Sequence, residues 1–97
     1  MSDKLHEDSL RAQRAQQLMD DELMVEAFAS LETEYIAFWK KTPVRDTDAR
    51  ERLWQQIRNL DLLKGHFEKI ISNGKLAQKQ LDDIVNLGER RKILGVV

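Results

Sequence analysis

Ninety-seven residues with 34% charged side chains, one proline and no cysteine allow one small domain, or a subunit that completes its core by assembling. They exclude disulfides and thiolate-based metal or redox chemistry, and no apolar run approaches the roughly 20 residues of a membrane span. The net charge of −1 is unevenly spread: residues 1–39 hold nine Asp/Glu against three Lys/Arg, a balance of −6, and residues 40–97 hold thirteen Lys/Arg against eight Asp/Glu, a balance of +5. Such a chain can pair head to tail with a copy of itself or offer its basic half to phosphates. The acidic N-terminus lacks the apolar stretch of a signal peptide, so the expected location is the cytoplasm, with no membrane contact.

Residues 1–17 offer only Leu5, Leu10, Ala12 and Ala15 as apolar candidates. That is too little burial to offset ordering entropy, so this segment is expected to be weakly ordered by itself, although its composition favours a helix that could order against a neighbour. From Leu18 the pattern sharpens. Met24, Phe28, Leu31, Tyr35 and Phe38 are spaced four, three, four and three, which keeps them on one helix face. Val25, Ala29, Ile36 and Trp39 widen that face to a second side, more than a two-helix contact needs, and this predicts a further neighbour or another subunit.

Lys40 and Lys41 complement the negative end of this helix, and Thr42-Pro43 stops it. Asp46, Thr47 or Asp48 can cap the next helix, with Asp48 and Glu51 at the spacing of a capping box. Its seam is Leu53, Ile57, Leu60, Leu63, Phe67 and Ile70, flanked by Trp54 and Ile71. If the Trp54 ring is core, its truncation to alanine should cost roughly 3–5 kcal/mol. Gly65 reads as a point of close approach for another helix or for the Tyr35 and Trp39 rings. Asn73-Gly74 reads as a helix stop with Gly74 left-handed. A third helix is expected over Lys75–Leu87, closed by Gly88, and then a basic and apolar tail.

The predicted fold is therefore all-α: an antiparallel hairpin of two long helices, Leu10–Lys41 against Asp48–Asn73, a short third helix and a C-terminal tail. The divisions are a weakly ordered segment 1–17, a hairpin and oligomerisation domain 18–87, and a tail 88–97. Core and oligomer contacts are assigned to Met24, Phe28, Leu31, Tyr35, Phe38, Trp39, Leu53, Trp54, Ile57, Leu60 and Phe67. In the tail, Arg90, Arg91, Lys92, Ile93, Leu94, Val96 and Val97 either cover the open end of the bundle or dock on a partner.

Little points to catalysis or to a cofactor. The sequence has no His-Glu-x-x-His spacing, phosphate-binding glycine loop or nucleophile elbow. His66 reads as a surface or packing histidine. Asp20-Asp21-Glu22 and Asp82-Asp83 are adjacent carboxylates, which diverge by about 100° on a helix and do not converge on a metal. Lys40, Lys41, Arg45, Arg50, Arg52 and Arg58 gather at the hinge end and can hold DNA phosphates without reading bases. Asp46, Asp48, Glu51 and Asp61 are interleaved with them, and the pI near 6.1 is not that of a dedicated nucleic-acid binder.

At Leu31-Glu32, Tyr35, Trp39, Thr42-Pro43-Val44-Arg45-Asp46, Arg50-Glu51-Arg52-Leu53-Trp54, Lys64-Gly65-His66 and Gly74-Lys75-Leu76-Ala77, the chain resembles short helical proteins of tailed phages and prophages. These are often encoded near head and packaging genes. The resemblance spans Leu23 to Leu81 and implies a non-enzymatic phage protein similar to the small terminase subunits, oligomeric adaptors that bind DNA and pass it to a large motor subunit. It implies that the wide face of the first helix joins subunits, that the hinge arginines face DNA, and that the tail meets the motor. The chain departs from that pattern in lacking an N-terminal helix-turn-helix, for which residues 1–20 are too few and too polar. The alternative is a helical factor that binds a phage or host protein, as assembly factor or inhibitor, without DNA.

Overall fold

The first break in the backbone falls at Asp21. Its conformation is extended (φ −61°, ψ 130°), and its Oδ1 accepts hydrogen bonds from the amides of Leu23 (2.9 Å) and Met24 (3.3 Å). One residue thus ends a helix and caps the next. A computed structural model describes residues 2–93, with side chains from 3 to 90. It contains three helices: α1 (Ser2–Asp20), α2 (Glu22–Lys41) and α3 (Thr47–Ile93).

The α2–α3 connection follows from its residues. Thr42 is extended, as a residue before proline must be, and it closes α2. Its amide donates to the Phe38 and Trp39 carbonyls at 3.1 and 3.2 Å, and its Oγ1 donates to the Phe38 carbonyl at 2.7 Å. The amide thus completes the last helical bond, to Phe38, and also satisfies the Trp39 carbonyl at the helix end. The turn from Pro43 to Asp46 is closed by the Asp46 amide on the Pro43 carbonyl (3.0 Å), and Asp46 Oδ1 then accepts the Ala49 amide (3.2 Å). Asp46 is therefore the cap. Asp48, proposed above for a capping box with Glu51, lies inside the first turn, where its charge complements the helix dipole.

The all-α expectation holds, but its division into elements needs correction. The first arm is not one helix from Leu10 to Lys41, because Asp21 breaks it. The second does not stop at Asn73, and there is no separate short third helix: α3 runs through Gly74 and Gly88 without interruption. A glycine inside a helix costs about 1 kcal/mol relative to alanine, which a tertiary contact can outweigh. Gly74 has such a contact.

The chain divides into two compact units. In one, here termed the clasp, residues up to Gln16 pack on α3 from Glu68 onward. Ser9 Oγ donates to Gln78 Oε1 at 2.8 Å, and Ala12 lies against Gly74, so the two segments run in opposite directions. Buried here are Ser9, Ala12, Ala15, Ala77 and Leu81. A Cβ on Gly74 would overlap that of Ala12 and come within 2.7 Å of the Asp8 carbonyl oxygen. Small side chains let the backbones meet, so the segment expected to be weakly ordered by itself forms a helix against a neighbour.

The second unit, Gln17–Phe67, is the hairpin. Phe28 and Leu60 are its buried residues, with Met24, Tyr35, Ile36, Leu53, Ile57 and Phe67 half-buried beside them. Two helices cover each other on one side only, and no large side chain among the described residues is fully enclosed.

Candidate protein interface

The residues assigned to core and oligomer contacts separate into two groups. Phe28 and Leu60 are buried, and Met24, Tyr35, Leu53, Ile57 and Phe67 are half-buried along the seam. Leu31, Phe38, Trp39 and Trp54 are exposed, Phe38 by 58% and Trp54 by 60%. Of the two places left open for Trp54, core or an exposed contact surface, the ring takes the exposed one: it follows the seam residue Leu53 by one position, about 100° around the helix, and leaves the seam. Leu23, Val25, Val44, Leu62 and Leu63 are exposed as well. Singly exposed apolar residues are ordinary; here several fall on one short hairpin.

Two sides of the hairpin carry them. In an antiparallel pair, the residues that follow the seam positions lie on the same side in both helices. In α3 the seam passes through half-buried Lys64 and not through Leu63, which is exposed, so Val25, Ala29 and Ile36 of α2 lie together with Trp54, Arg58, Asp61 and Gly65 of α3. The residues that precede the seam positions, among them Leu23, Ala27 and Leu63, lie on the other side. Gly65 differs from Gly74: a Cβ there would meet nothing within 4 Å. The expectation that Gly65 admits the Tyr35 or Trp39 ring is therefore corrected.

The basic residues at the hinge are exposed except for Arg50, which is half-buried with its guanidinium 4.9 Å from the centre of the Trp39 ring. That cation–π contact ties Arg50 to α2. Arg52 shares a shallow surface depression with Asp48, Glu51 and Gln55, so carboxylates stand beside the cation there. Lys40, Lys41, Arg45 and Arg58 lie on the hairpin surface. His66 is exposed, its ring edge-on to that of Phe67 at 6.0 Å between centroids.

In the clasp, an open groove of about 290 Å³ follows the α1–α3 contact, floored by Ala12 and Gly74 and bordered by Gln13, Ile71 and Lys75. Gln78, which accepts from Ser9, donates to Asp82 at 3.0 Å. Sequence reasoning missed this contact, although small residues at Ser9, Ala12 and Ala15, matched by Gly74 and Ala77, were its signal. Of the tail residues, Arg90 is exposed and Arg91, Lys92 and Ile93 continue α3, while Leu94, Val96 and Val97 lie outside the described residues.

Among the described residues no three His, Asp or Glu side chains gather as metal ligands, and no helix is long and apolar enough to cross a membrane. No protein-family model, curated protein or solved structure matches the chain.

Proposed function

We propose that this chain is a non-enzymatic helical assembly subunit that joins another protein chain through the apolar side chains its hairpin leaves uncovered. The observation that carries this reading is the exposure of Trp54 and Phe38, two large aromatic residues on a hairpin whose own core holds little more than Phe28 and Leu60. Aromatic residues of this kind are the usual anchors of protein interfaces. A photo-crosslinking amino acid at position 54 or 38, introduced in cells that express the protein, should join it to a discrete protein product. If neither position forms an adduct while both variants keep their helicity, the reading is wrong.

A second reading adds DNA, as in a packaging adaptor of small-terminase type that also engages a large motor subunit. It is supported by the placement of Lys40, Lys41, Arg45, Arg50, Arg52 and Arg58 within one hairpin unit. Arg50 on Trp39 and the carboxylates beside Arg52 favour the protein-binding reading over it. Salt-sensitive DNA binding that disappears in an R50A/R52A/R58A variant would establish the second reading; no binding by the parent at low salt would eliminate it.

A further inference from the structure

We infer that the partner on the Trp54 side of the hairpin is a second copy of this chain, bound through α3 about a twofold axis between residues 59 and 60. The inference rests on the assembly reading above and specifies its partner.

Trp54, Arg58, Asp61 and Gly65 are spaced four, three and four along α3, so they form one stripe. All lie in the hairpin unit, Trp54, Arg58 and Asp61 are exposed, and each follows a seam residue by one position. The stripe is self-complementary when reversed. An antiparallel copy centred between residues 59 and 60 brings Trp54 onto Gly65 and Arg58 onto Asp61, and symmetry makes each contact twice. The largest side chain meets the position with none, and a cation meets an anion. Glu51 and Glu68, the next positions outward, confine the contact to the turns between them by like charge.

Gly65 supplies an independent argument. A glycine in a helix interior costs about 1 kcal/mol relative to alanine. Gly74 is explained by Ala12, whereas among the described residues nothing beyond its own helical turn comes within 4 Å of a Cβ on Gly65. A ring from outside the chain, seated directly on the helix backbone, would require its absence. Val25 (53% exposed) and Ala29 of α2 border the same side, and Leu62 (54% exposed) stands at its edge. They extend the apolar area around the paired stripes.

The test is sedimentation equilibrium on the full chain and four variants, with helicity followed by circular dichroism. The parent should be a dimer. G65L, which adds a better helix former where the chain itself has open space, should keep or raise helicity yet weaken association on the order of a hundredfold. R58D and D61R should each weaken it by a similar factor, since each sets like charges opposite one another twice, and the R58D/D61R double variant should recover most of the loss. A parent that stays monomeric at high concentration overturns the inference. An oligomer that ignores G65L and both charge reversals also overturns it, while leaving the assembly reading in place on a different surface.

Discussion

The clasp and the hairpin solve the same problem with opposite residues. Both pack two helix segments side by side. The clasp does it with Ser9, Ala12, Ala15, Gly74 and Ala77, whose small side chains let the backbones meet and become buried in doing so. The hairpin uses Phe28, Tyr35, Leu53, Ile57 and Phe67, large side chains that remain half-buried except at Phe28. Close approach by small residues buries those residues within the contact itself; large residues on two helices cover each other on one side and leave the next side open. Both units leave apolar side chains exposed, Leu10, Leu76, Ile84, Val85 and Leu87 in the clasp among them, but the exposed aromatic rings, Phe38, Trp39 and Trp54, all stand on the hairpin.

The comparison can be broken at four points. The largest effect is expected at Phe28, the buried ring of the hairpin, where alanine should cost about 3–5 kcal/mol in denaturant unfolding. Next is Gly74. Valine there forces apart two backbones already in contact, and an overpacking cost of about 3 kcal/mol should appear as lost hydrogen-exchange protection over residues 3–16, with the hairpin amides unchanged. If the hairpin loses protection equally, the two units are not energetically separable.

Smaller effects sharpen the picture. Asp46→Ala removes the cap of α3 and should cost about 1 kcal/mol, whereas Asp48→Ala should cost only a few tenths, which separates the cap seen here from the capping box with Glu51. Trp54→Ala should change the stability of the dilute chain by no more than about 0.5 kcal/mol, because its ring faces solvent, and should lower the melting temperature clearly only at concentrations where the chain associates. A large loss at high dilution would return Trp54 to the core.

Much of the hairpin was legible in the sequence. The four-three spacing from Met24 to Phe38 marked α2, Thr42-Pro43 marked its end, and the surplus width of the apolar face announced residues that one partner helix would not cover. The clasp was not legible, because alanine and serine add almost nothing to a hydrophobic pattern. Their significance depends on a glycine sixty-two positions after Ala12. The two glycines show the limit most plainly. Asn73-Gly74 carries the local signal of a helix stop, but the signal is overridden by what Gly74 does for α1. Gly65 reads as a place for another helix or for an intrachain ring, and among the described residues neither stands against it. Local propensity cannot tell these cases apart; only the neighbour across the contact can. The cap was ambiguous for a similar reason, since three adjacent candidates satisfy the same preference and the turn at Pro43 selects among them.

Native mass as a function of concentration, by light scattering behind a sizing column, tests the central claim most directly: that the hairpin is completed by another copy of the chain. The account predicts a species of twice 11.4 kDa that dissociates on dilution, with Trp54 emission shifting to the red as it does so. A mass of 11.4 kDa at every concentration, with tryptophan emission unchanged throughout, would contradict it.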